Sequence, residues 1–130
     1  MAKFCSSIIL DAAATVIRDR GAKIAVCTSA AIASVDDVEL YTLAVTTLTT
    51  GAASTSYTLA DGDVSGRKIT ISAQSSIAVA TTGVAAQICI YTTIGTTALL
   101  YKTDATTQAL ASTANKVTIP AWKIEFRDAT

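Results

Sequence analysis

The chain is 130 residues long and carries ten basic and ten acidic side chains, no histidine and a formal net charge of zero. That length fits one domain around one core, and the balanced charge gives no net field to attract nucleic acid or anionic lipid. The missing histidine removes the commonest general base and the commonest transition-metal ligand together.

Apolar residues make up 51% of the sequence and charged ones 15%, with threonine and serine prominent in the remainder. Threonine's branched β-carbon is at home on a pleated surface, so this mixture favours half-buried strands over helices. At the amino end, Met1 to Asp11 is too short and too polar for a secretory signal. No apolar run approaches the ~20 residues of a membrane-spanning helix. A soluble protein made in the cytoplasm is expected.

Ser6 to Arg20 predicts a helix. Ile9, Ala13, Val16 and Ile17 recur at helical spacing, Ser6 or Ser7 can cap the start, and Gly21 after Arg18 and Arg20 is a stop signal. Lys23 to Thr28 changes period and reads as a strand with Ile24 and Val26 towards the core. From Ser29 to Ser56 the pattern weakens: Val38, Leu40 and Leu43 to Leu48 predict one or two strands, and Gly51 to Ser56 predicts a loop. Arg67 to Ala73 alternates strictly, with Ile69, Ile71 and Ala73 inward.

Ile77 to Thr81, Ala86 to Thr92 and Ala98 to Lys102 then read as an antiparallel meander. A polar stretch from Thr103 to Asn115 leads to a strand at Lys116 to Ile119, a break at Pro120, and a last strand in which Trp122, Ile124 and Phe126 alternate with charged residues. The expected fold is mainly β: a small antiparallel β-sandwich or barrel of about seven or eight strands with one N-terminal helix, in a single domain.

The candidates for chemistry are few. Asp36-Asp37-Glu39 and Asp61-Gly62-Asp63 are the local carboxylate clusters, both in expected loops. Asp61-Gly62-Asp63 with Ser65 resembles the start of a calcium loop without its twelfth-position glutamate, and reads better as a turn in which Gly62 and Gly66 take positive φ. Ser65-Gly66-Arg67-Lys68 sets two cations at a strand entrance, suited to a solvated strand end or a salt bridge to a neighbouring subunit. Two charges are too few for nucleic acid. Trp122 reads as a core anchor. Cys5, Cys27 and Cys89 lack C-x-x-C spacing and read as buried thiols, with a bond across a subunit interface as the alternative. No catalytic, cofactor-binding or metal-binding residue is assigned.

The order of segments carries a resemblance. Ile9-Leu10-Asp11-Ala12-Ala13-Ala14 leads into Lys23-Ile24-Ala25-Val26-Cys27-Thr28. Next comes Leu59-Ala60-Asp61-Gly62-Asp63-Val64-Ser65-Gly66-Arg67-Lys68-Ile69-Thr70-Ile71, the most specific stretch. Thr82-Gly83-Val84-Ala85, a Leu99-Leu100 strand and Ile119-Pro120-Ala121-Trp122-Lys123-Ile124 follow. This succession resembles a family of small virion structural proteins of tailed bacteriophages, over most of the chain but not between Ser29 and Ser56.

The resemblance implies an architectural, non-enzymatic role without a cofactor. Such a subunit would decorate or cement the capsid, or belong to the neck or tail, as a homo-oligomer in contact with other virion proteins. The expected contact regions are the amino-terminal arm Ala2, Lys3, Phe4 and Cys5, the Asp36, Asp37 and Glu39 loop, and the Ser65, Gly66, Arg67 and Lys68 turn. The rival reading is a monomeric sandwich that binds a ligand, for which exposed aromatics would be needed and only Tyr41, Tyr57, Tyr91 and Tyr101 are on hand.

Overall fold

A computed structural model describes residues 5–128. In chain order the elements are α1 (Ser7–Arg20), β1 (Lys23–Thr28), α2 (Val35–Tyr41), β2 (Thr42–Thr47), β3 (Tyr57–Asp61), β4 (Arg67–Ile71), β5 (Gln74–Ala78), β6 (Gly83–Thr92), β7 (Ala98–Leu110), β8 (Lys116–Ile119) and β9 (Trp122–Phe126). All ladders are antiparallel. They form a four-stranded sheet in the order β2-β1-β6-β7, a three-stranded sheet β3-β4-β9 and a two-stranded sheet β5-β8. The protein is mainly β and antiparallel with an amino-terminal helix, as its sequence predicts. Among the described residues it has nine strands, beyond the seven or eight expected, and a second short helix.

The main core forms where alternating residues of the two larger sheets meet. Ile24, Val26 and Ile90 come from the four-stranded sheet, Ile69, Ile71 and Ile124 from the three-stranded one, and Ala14 and Ile17 from α1. Residues of opposite parity on β1 and β6, Ala25, Cys27, Cys89 and Tyr91, make a second core on the other face of the four-stranded sheet, closed by Ile32 and by Val38 of α2. β1 is thus buried on both faces. Its continuous apolar run reflects that double cover.

α1 has the predicted bounds, with Ser6 as its N-cap accepting from the Ile8 N–H. Its buried face differs from the expected one. Leu10, Ala14 and Ile17 are buried, whereas Ile9, Val16 and the preceding Ile8 are 62%, 48% and 76% exposed. Leu10, Ala14 and Ile17 stand at i, i+4 and i+7 and make the buried stripe, and Asp11 beside them reaches Arg67 at the start of β4.

The sequence expectation of a strand at Val38 and Leu40, and of a loop at Asp36–Glu39, is corrected to a helix, α2. Its start is a capping box: the Asp37 N–H donates to Ser34 Oγ at 3.3 Å, and the Asp37 carboxylate accepts from the Ser34 N–H at 3.0 Å. Such a short helix is not stable alone. Burial of Val38 at 0% exposure holds it to the sheet.

Other departures have similar causes. β3 was not expected; it pairs with β4, and its Tyr57 hydroxyl donates to the Gly21 carbonyl at 2.6 Å. β4 ends at Ile71, leaving Ala73 exposed. β5 pairs with β8 rather than β6, so only the β6–β7 hairpin of the expected meander is present. β7 continues through the polar stretch to Leu110, because a surface strand needs backbone partners more than apolar side chains. Pro120 lies between β8 and β9, as its missing N–H requires. Among the described residues no helix is long and apolar enough to cross a membrane.

Candidate functional site

The Ser65–Lys68 turn joins β3 to β4. The Gly62 N–H donates to the Gly66 carbonyl at 2.9 Å, and Gly66 has φ +72°. Gly62 does not take the positive φ expected of it. It is required because a β-carbon there would lie 2.0 Å from the Ser65 carbonyl oxygen.

Both cations of the turn are engaged within the chain. Arg67 binds Asp11 of α1 and Asp61 of β3, while Lys68 and Lys123 bind Asp63. The Asp63 N–H donates to Glu125, which also accepts from Arg127 at 3.1 Å. Asp11, and then Asp61, raise the pKa of Arg67. For Glu125, burial pushes the carboxyl up, but the Arg127 and Val64 hydrogen bonds and nearby cations outweigh it and the net direction is down. Exposed pairs of this kind add little stability each. What they do is fix α1, the β3–β4 hairpin and β9 in mutual orientation. Asp61 and Asp63 face cations rather than a shared cavity, and among the described residues no three metal-ligating side chains cluster.

The Asp36–Glu39 group is divided. Asp37 is used by the cap, its pKa lowered by hydrogen bonds from Ala33 N–H and from Ser34. Asp36 and Glu39 are exposed on α2 beside Leu40 and Tyr41, which are 72% and 37% exposed. The depressed Asp37 favours the folded state above its unfolded pKa, and that contribution is lost as pH falls through the folded value. Asp37→Asn is therefore expected to lower stability at neutral pH and to flatten the loss of stability below about pH 4. Urea titrations at a series of pH values measure this, and an unchanged acid slope would contradict it.

Of the amino-terminal arm, Ala2, Lys3 and Phe4 lie outside the described residues, and Cys5 is half-buried just before the cap. Cys27 and Cys89 are wholly buried on the α2 side of β1 and β6. The Cys89 thiol is pushed up by its hydrogen bond with Cys27 and by burial. Neither is accessible to another subunit, so among the described residues only Cys5 fits the expectation of a bond between subunits. Trp122 is half-buried, packed on the main core with its ring 5.9 Å from that of Tyr101.

Sequence reasoning missed three surfaces. The first is the outward apolar face of α1 formed by Ile8, Ile9 and Val16; its spacing was visible, but it was assigned to the core. The second is a groove of about 270 Å³ lined by Val26, Ile88, Leu110 and Ile119, to which β6, β7 and β8 contribute. The third is the outer edge of β7, hidden because its carboxyl half is polar. No protein family, curated protein or solved structure matches the chain.

Proposed function

We propose that this chain is a non-enzymatic virion subunit that decorates or cements a phage capsid, or stands in its neck or tail, through many repeated contacts. The observation that carries this reading is the outward face of α1, where Ile8 and Ile9 are 76% and 62% exposed on a helix whose opposite face is already anchored in the core. An apolar stripe left in water on a rigid helix suits burial against another protein. Repetition over a particle turns modest single contacts into firm attachment.

The tyrosines weigh against the ligand-binding alternative. Tyr57 and Tyr91 are buried and Tyr101 packs against Trp122 with the two rings tilted by 34°, leaving Tyr41 at 37% exposure as the most accessible. A glycan or base platform needs open aromatic faces.

The test is binding of the purified chain to empty phage heads and to tails. Ile9→Glu with Val16→Glu is expected to weaken that binding at least tenfold while the thermal melt stays within a few degrees of the parent. A chain that ignores heads and tails but binds a glycan array would overturn the proposal.

A further inference from the structure

We propose that β7 is a self-pairing edge, at which two copies of this chain join antiparallel about a twofold axis at Thr103 and merge their four-stranded sheets into one continuous sheet. The inference rests on the subunit-packing reading above for its setting, but the pairing itself is a property of the isolated chain.

β7 is the outermost strand of the order β2-β1-β6-β7; its ladder runs to β6, and among the described residues no strand pairs with its other side. An open edge presents a row of unpaired donors and acceptors, which proteins usually blunt by shortening, by charged side chains, by bulges, by proline or by a covering segment. β7 is 13 residues long without proline, and its blunting is limited to Lys102, Asp104 and two bulges that flank Tyr101–Asp104. The opposite edge of the same sheet is treated differently. At β2, Val79 bridges to Ala44, and the Ala80 N–H donates to the Leu43 carbonyl at 2.8 Å.

Charge identifies both partner and register. In a twofold antiparallel pair, facing residues must lie on the same face of the sheet, so the axis passes through a residue and each pair straddles it evenly. An axis at Lys102 sets that lysine against its twin, and one at Asp104 sets aspartate against aspartate. Directly opposed like charges are unfavourable. An axis at Thr103 puts Lys102 opposite the second copy's Asp104, and Asp104 opposite the second copy's Lys102. Both charges of the strand are then satisfied by an identical strand.

The local geometry suits this register. Lys102 and Asp104 lie opposite Cys89 and Gln87, on the face that carries α2, and both are exposed. Lys102 Nζ donates to the Ile32 carbonyl at 2.7 Å, a bond that uses one of the three donors of its ammonium group. Asp104 makes no salt bridge among the described residues. β7 carries the extra residues of both register shifts that flank Tyr101–Asp104, which confines the regular pairing to this run around Thr103.

Light scattering on the purified chain at micromolar concentration should give twice the monomer's 13.3 kDa. Asp104→Lys alone is expected to weaken association at least tenfold with an unchanged melt. Combining it with Lys102→Asp should restore association to within a few-fold, since the exchanged charges again oppose each other. Thr103→Cys should give a reducible covalent dimer on mild oxidation, its twin lying within disulfide reach, whereas Thr106→Cys should not. A monomeric parent chain, a dimer indifferent to Asp104→Lys, or a charge exchange that fails to rescue would each overturn the pairing. A monomer that still binds phage heads defeats the self-pairing alone, and a dimer that binds no virion part defeats the virion reading alone.

Discussion

Ile90→Ala is expected to destabilise the fold by about 2–5 kcal/mol, the range for truncating a fully buried isoleucine. Ile90 sits on β6, within the four-stranded sheet, at 0% exposure in the cluster that includes Ile69, Ile71 and Ile124 of the facing sheet. Removing its outer carbons deletes transfer free energy and leaves a void that strands held on both sides cannot close. In a chain of this length the melt should fall by on the order of 10 °C. Val84→Ala, on the same strand but 53% exposed, should stay within about 0.5 kcal/mol. Urea denaturation of the pair measures the contrast, and equal costs would mean that the sheets do not pack through Ile90.

The second large effect is at Gly66. Alanine there adopts a left-handed backbone at φ +72°, and its β-carbon would lie 2.0 Å from the Phe126 carbonyl oxygen. Gly51 separates these two contributions, because it has φ +92° with nothing near its missing side chain. Gly51→Ala should therefore cost about 1–2 kcal/mol, the left-handed backbone penalty alone. Gly66→Ala should cost that plus the displacement of β9 from the turn, about 3 kcal/mol or more in all. Since the same turn aligns Arg67 with Asp11 and Asp61, its loss should also reduce the salt dependence of stability. Equal costs at the two glycines would show that β9 yields freely.

Some of this was legible in single residues. Ser6 and Gly21 bound α1, Ile24 and Val26 face the main core, and the alternation of Ile69 with Ile71 and of Ile124 with its charged neighbours marks β4 and β9. α2 was legible in principle, because Ser34 and Asp37 stand at capping-box spacing, but the valine and leucine between carboxylates suggested a strand. For the contact regions, chain order located the Ser65–Lys68 turn without revealing that its cations are already paired. Asp11 lies more than fifty residues from Arg67, and nothing in local pattern connects them.

What the sequence determined by itself is the class of structure. Threonine-rich alternation favours antiparallel strands, and those are the strands the chain forms. What only the tertiary structure decided is which surfaces are left over. Ile9 and Val16 have the spacing of a core face, yet lie in water because the stripe of Leu10, Ala14 and Ile17 is the one turned to the sheets. The open edge of β7 likewise follows from strand order, which depends on pairings between residues far apart in the chain. Burial is a property of pairs of surfaces, and periodicity in one segment specifies only one member of each pair.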